Sequence, residues 1–185
     1  MTNQNESNKT KRNRFTRMCI GEALLTLLAD NDYDSIKISD IVAKAGISRM
    51  TYYNYYRSKT DILDDYLQEV VALYMRSAAE EEAKNNIGTF QDYDHILHAL
   101  KFFDQYSNFF LTLAHSGLYS VIINAVNRYM EEQVQPHYNG SIYALYFYSG
   151  ALINTFIKWE ENGKVEPVEE IAKIVSSLHS PNEIS

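Results

Sequence analysis

The chain alternates long amphipathic stretches with short polar breaks. Phe15, Cys19, Ala23 and Leu27 recur near helical spacing, with Ile20, Leu24 and Leu28 beside them. This predicts a helix over about 12–29. It should end in Asp30-Asn31-Asp32, whose short polar side chains tolerate left-handed backbone. Ser39 then stands where an N-cap is needed, ahead of the inward stripe Ile38, Ile41, Val42 and Ala45. That short helix stops at Gly46. Ile47 follows, and Ser48 can cap a second short helix over about 49–56. Two helices separated by about three residues, with glycine at the turn, form a helix-turn-helix pattern. A longer helix is predicted over 59–84, carrying Ile62, Leu63, Tyr66, Val70, Leu73 and Tyr74. Further helices are predicted over 90–105, 107–115, 118–134, 141–161 and 167–179, with Pro167 suited to a first turn. No strand pair emerges, so the expected fold class is all-α with about nine helices.

Composition refines this picture. The 185 residues are 45% apolar, enough for a core, and include only 3 prolines and 7 glycines. The lone Cys19 cannot form an internal disulfide. No signal-like or membrane-spanning apolar run is present, and the reading is a cytoplasmic protein without a membrane partner. The formal net charge of −7 conceals two unlike parts. Residues 1–60 hold ten basic and six acidic residues, +4, and the remaining 125 hold seven and eighteen, −11. A basic N-terminal module suits phosphate, and the acidic remainder would confine that contact to one end.

The segment KAGISRMTYYNYYRSK (44–59) holds four of the fifteen tyrosines. At about 100° per residue, Tyr52 and Tyr56 point together toward Ile47 and the preceding helix, as packing residues. Arg49, Met50, Thr51, Tyr53, Asn54 and Tyr55 spread over the outward arc. A short helix held on two others can lay such an arc in the DNA major groove. Arg49 and Asn54 have the chemistry for guanine or adenine edges, and Met50 suits a thymine methyl. Hydroxyl and cationic side chains bind phosphate and fix the register. The alternative is a tyrosine-rich protein-contact surface.

ISDIVAKAGISRMTYYNYYRSKTDIL resembles the DNA-binding signature of the tetracycline-repressor (TetR) family of bacterial regulators. Ile41-Val42, Gly46-Ile47-Ser48, Thr51, Tyr53, Tyr56 and Lys59 occupy the signature places. The resemblance covers roughly residues 12–63. It implies that Ser39, Thr51, Tyr53 and Lys59 contact phosphate, and that Arg49, Met50 and Tyr55 lie at or near the bases. Three residues depart from the family pattern: Met50 where a small residue is usual, Tyr55 where histidine is frequent, and Asp32 where glycine is usual.

The implied organisation is a flexible basic arm (1–10), a three-helix DNA-binding domain (11–59) and a helical regulatory and dimerisation domain (60–185). Lys9, Lys11, Arg12 and Arg14 could reach the minor groove or the phosphate backbone. SIYALYFYSGALINTFIKW (141–159) is apolar almost all round, so it must be buried or paired with another chain. Together with the stripe Ile171, Ile174, Val175 and Leu178, the helices at 141–161 and 167–179 are expected to build a twofold four-helix homodimer interface. Phe102, Phe103, Tyr106, Phe110, Tyr119 and Tyr146 are candidates to line an effector pocket. The same spacing also suits ordinary core.

His95 and His98, with His115 further on, have metal-ligand chemistry, but no cysteine joins them, and Asp92 and Asp94 suit a helix start. No cofactor or metal is expected. No phosphate-cradling loop, nucleophile elbow or spaced carboxylate pair points to an enzyme. The expected function is a ligand-responsive transcriptional regulator. It would be a homodimeric repressor released from its operator by a small-molecule effector. The alternative keeps the DNA-binding head and gives the C-terminal domain a protein partner instead.

Overall fold

The structure is a computed structural model that describes the backbone of residues 2–178 and the side chains of residues 11–178. Among the described residues it is all-helical, with nine α-helices and no strand. They are α1 (Thr2–Leu28), α2 (Ile38–Ala45), α3 (Arg49–Tyr53), α4 (Lys59–Asn85), α5 (Tyr93–Asp104), α6 (Ser107–His115), α7 (Tyr119–Tyr129), α8 (Ile142–Glu161) and α9 (Val168–Ser177). A 3-10 turn (Tyr33–Ser35) leads into α2. A π-helical turn (Met130–Val134) and a second 3-10 turn (Gln135–His137) extend α7.

The first three helices form the N-terminal module on the first turns of α4. Ile20, Ala23, Leu24 and Leu28 of α1 meet Ile41 and Val42 of α2, Tyr52 of α3, and Ile62 and Leu63 of α4, all buried. The stripe is narrower than the sequence suggests: Phe15 is exposed, and Cys19 and Leu27 are half-buried. α1 also starts before Arg12. Propagating an existing helix adds one hydrogen bond per residue and needs no apolar face, so polar sequence without glycine or proline can continue it. The side chains of the expected basic arm, Lys9 among them, lie outside the described residues. Arg14 does not extend from the body: its guanidinium pairs with Glu69 of α4.

Helix ends follow local chemistry, with two departures. α1 closes at Leu28, and the connection contains no left-handed residue; Asp32 has φ −62°, so glycine is not required there. Ser39 does not cap α2. The helix begins one residue earlier, and Asp40 caps it instead, its carboxylate accepting from the Lys37 amide at 3.0 Å. Ser48 caps α3 as expected, its hydroxyl accepting from the Thr51 amide at 3.0 Å. Ser58 and Asp61 cap α4 reciprocally.

The C-terminal helices wrap the rest of α4. α5 packs along α9, and α6 and α7 pack on α8. Leu67, Val70 and Tyr74 of α4, Ile96 and Leu100 of α5, and Leu145, Tyr148, Ile153 and Phe156 of α8 are buried in this half. α8 is not buried all round. Tyr143 and Phe147 are 77% and 73% exposed, and Ile174 of α9 and Leu178 just after it are also exposed.

Gly46 closes α2 at φ +66°, and a Cβ there would meet nothing within 4 Å. Only backbone conformation opposes a side chain. Gly46→Ala should therefore cost about 1–2 kcal/mol, read as a lower denaturant midpoint with unchanged slope.

Candidate nucleic-acid interface and interior cavity

α3 is a single short helix, and two phenols hold it upright. Tyr52 is 0% exposed and Tyr56 4%. Burial, the largest effect, pushes the Tyr52 phenol up to about 12. Tyr56 donates to Asp65 Oδ2 at 2.6 Å, while Arg17 of α1 holds Oδ1 of the same carboxylate at 2.6 Å. Burial raises the Tyr56 phenol as well, followed by this hydrogen bond. Both phenols stay neutral at physiological pH and act as wedges with a polar tip.

The opposite side of α3 is open. Met50 and Tyr53 are 77% and 59% exposed, and Arg49 and Asn54 are also exposed. Lys44 and Arg57 flank them on the surface. Thr51 is half-buried, its hydroxyl 2.9 Å from that of Ser48. The expected outward arc is therefore brought together at Arg49, Met50, Tyr53 and Asn54, with Thr51 at its edge.

Three candidates sit differently. Tyr55 turns inward: α3 ends at Tyr53, and the Tyr55 hydroxyl donates to Asn13 of α1 at 3.0 Å. Ser39 is half-buried and donates to Asp40 at 3.3 Å. Lys59 serves the fold directly. Its ammonium donates to the Tyr33 carbonyl and, at 2.8 Å, to the Ile36 carbonyl, and lies 4.3 Å from the Tyr33 ring centroid. It thereby fastens the α1–α2 connection to the start of α4.

α4 leaves the head and enters the second domain carrying two neighbouring carboxylates. Asp65 faces the head through Tyr56 and Arg17. Asp64 accepts both Arg128 nitrogens of α7, at 3.1 and 3.2 Å. Arg128 in turn adjoins Tyr129 and Met130, which line an interior cavity.

That cavity encloses about 70 Å³ among α4, α5, α6, α7 and α8. Its wall includes Leu67, Tyr74, His95, Phe103, Phe110 and Tyr148. Of the expected pocket residues, Phe103 and Phe110 line it. Phe102 and Tyr106, with ring centroids 5.5 Å apart, are not in the wall, although Phe102 backs the wall residues Tyr74 and Phe103 at 5.6 and 5.4 Å; Tyr119 is also outside it. Tyr146 sits on the side of α8 that donates to Glu131, at 2.6 Å. The inward stripe Leu145, Tyr148, Ser149, Leu152, Ile153 and Phe156 was the available signal, since it follows helical spacing and omits Tyr146.

Tyr74 and His95 are paired through the phenol and Nε2 at 2.7 Å, and His98 Nε2 lies 3.1 Å from the Ser77 hydroxyl. Nδ1 of His95 is buried without a hydrogen-bond partner among the described residues. Burial is the largest influence on this imidazole and holds it below the ordinary histidine value; the Gly88 carbonyl acts the other way. Among the described residues no group of three or more histidine, cysteine or acidic side chains could hold a metal. No helix there is long and apolar enough to cross a membrane.

The architecture and the open face of α3 define a helix-turn-helix DNA-binding transcriptional regulator. The comparisons agree. Residues 20–66 match the model of bacterial regulatory proteins of the tetR family, and residues 91–180 match a transcriptional regulator C-terminal region. These two matches make the chain a TetR-like transcriptional regulator. It is 40% identical over 58 residues to the HTH-type transcriptional regulator YxbF of Bacillus subtilis strain 168, covering 31% of this chain and 15% of that protein. It is 36% identical over 53 residues to the HTH-type dhaKLM operon transcriptional activator DhaS of Lactococcus lactis subsp. lactis strain IL1403, covering 29% of this chain and 28% of that protein. These matches span well under two thirds of either relative. A TetR transcriptional regulator from Streptococcus agalactiae 2603V shares the fold at a TM-score of 0.59 and 22% identity, over 94% of this chain and 98% of that one.

The His95 environment has a pH consequence. With the folded value held down, the unfolded chain takes the proton first. The stability involved is present above the ordinary histidine pKa of about 6.5 and is lost as pH falls below it. His95→Gln should show a shallower loss of unfolding free energy than the parent between about pH 7 and 5, measured by urea titration.

Proposed function

We propose that the chain is a homodimeric, cytoplasmic repressor that reads a twofold operator with α3 and releases it when a small molecule occupies the C-terminal cavity. The observation that carries the DNA-reading part is the exposed set Arg49, Met50, Tyr53 and Asn54 on a helix whose other side is fully buried. Arg49 and Asn54 read base edges and Met50 contacts a thymine methyl. Tyr53, Thr51, Ser39 and Lys59 serve the phosphate backbone. Tyr55 contributes from behind, by holding the end of α3 against α1.

Pairing is supported by α8 and α9, which leave Tyr143, Phe147, Ile174 and Leu178 uncovered. Two copies joined there would place their α3 helices in successive major grooves, about 34–36 Å apart. Coupling is supported by α4, whose Asp64 and Asp65 join the cavity-lining helix α7 to the reading head. An occupant that shifts α7 would move Asp64 and, one residue away, the anchor of Tyr56. Operator and effector must then weaken each other by the same factor. The match to DhaS spans only 53 residues and does not carry that protein's direction of control to this chain. A reporter fusion in a deletion strain decides the sign, with derepression expected.

Tyr53→Phe should weaken binding to all duplexes alike. Arg49→Ala should instead relax base preference, with loss of about 1–3 kcal/mol of discrimination in competition gel shifts. Retained preference in Arg49→Ala would remove the direct-readout role. Phe147→Asp, at an exposed position, should leave helicity intact and convert the dimer to monomer by light scattering. A monomeric parent would refute the pairing.

A further inference from the structure

We propose that the cavity selects an uncharged, mostly apolar ligand of about one aromatic ring or a short alkyl chain, carrying a single hydroxyl or carbonyl, and rejects carboxylates and amines. This rests on the reading of that cavity as the effector site. Among the side chains that line it there is no lysine, arginine, aspartate or glutamate. The one ionisable group near neutrality is His95, and burial keeps its imidazole uncharged. A carboxylate or ammonium would enter without a counter-charge, and an unpaired buried charge costs far more than a ring of apolar contacts returns.

The wall can also answer little polarity. The Tyr74 phenol is engaged with His95 Nε2, the Tyr148 hydroxyl donates to the Phe90 carbonyl at 2.6 Å, and the Ser149 hydroxyl donates to the Tyr146 carbonyl at 3.2 Å. His95 Nδ1 has no partner at ordinary hydrogen-bond geometry, with the Gly88 carbonyl acting on the same ring, and the half-buried Tyr129 phenol is the other polar group of this wall. One hydroxyl or carbonyl suits so few atoms, whereas a polyhydroxylated ligand would leave several hydrogen bonds unmade.

Size follows from the volume. About 70 Å³ is less than the roughly 150 Å³ that takes benzene in a rigid apolar core. Admission of a ring therefore requires the wall to yield. The wall offers a place for this: Met130, which lines the cavity, opens the π-helical turn Met130–Val134, where the regular ladder of α7 is already interrupted.

The test uses matched probes on the full-length chain: benzyl alcohol against benzoate, and 1-hexanol against hexanoate, in thermal unfolding at about pH 8, where both acids are ionised. The two alcohols should each raise the midpoint by about 2–4 °C at millimolar concentration, and the two carboxylates should not. Val126→Phe, which fills the cavity, should abolish the shifts. Phe103→Ala, which enlarges it, should extend the effective alcohols to longer chains, so the outcome does not depend on one variant folding. Carboxylates that stabilise as well as the alcohols, a shift that survives Val126→Phe, or no shift with either alcohol would overturn the proposal. Gel shifts with an operator recovered by selection from random duplexes separate the two readings. Cavity-dependent binding of the alcohols without loss of DNA affinity leaves the ligand class standing and removes the effector role.

Discussion

The carboxylate of Asp65 is the point on which the reading head depends. It receives the Tyr56 phenol from the chain just beyond α3 and the Arg17 guanidinium from α1, and it sits on α4, which continues into the second domain. A five-residue helix cannot maintain its own orientation, because it makes too few internal hydrogen bonds. Its direction comes from Tyr52 and Tyr56 beneath it and from the carboxylate that fixes the second of them. A partly buried carboxylate held by both a phenol and a guanidinium has well-defined geometry, since each donor restricts a different oxygen. The exposed face of α3 is thus set from behind.

The same stretch of α4 ties the two halves of the molecule together. Asp64 and Asp65 are adjacent, yet successive residues of a helix point about 100° apart. One therefore faces α7 and the other faces the head. The aromatic contact of Tyr66 with Phe109 of α6, centroids 5.0 Å apart, adds a third link one residue on. Gly21 of α1 lies so close to the Tyr66 ring that a Cβ would approach it to 2.5 Å, so α1, α4 and α6 meet there without room for a side chain. Tight contact of this kind transmits displacement, because packed surfaces do not compress.

Much of this was legible in the sequence. The glycine turn, the serine cap and the aromatic spacing placed the helix-turn-helix, and the apolar periods placed the later helices to within a few residues. Tyr52 and Tyr56 were separated from Tyr53 by angle alone. The misses have definite causes. Ser39 lost the cap because Asp40 stands three residues after Lys37 and reaches its amide. Tyr55 was assigned outward by extending α3 too far, and a helix that stops at Tyr53 turns it toward Asn13. The pocket was the least legible part. Its wall is assembled from five helices, and an aromatic on a helix face gives no sign of which neighbour it will meet. Tyr74 and His95, from different helices, form its most polar pair, and no local pattern connects them.

Lys59 shows how one residue can be prepared in advance. An ammonium has three protons, and two are committed to the carbonyls of Tyr33 and Ile36. A third remains for an outside acceptor. A lysine on an open surface gives up several rotamers when it grips an anion, and that entropy weakens the grip. Here the stem was immobilised when the chain folded, so the ordering does not recur on arrival of a strand. Under the proposed phosphate contact the anion would meet an ammonium held at a fixed place, and a shift of the loop holding those carbonyls would move that place without touching the lysine itself.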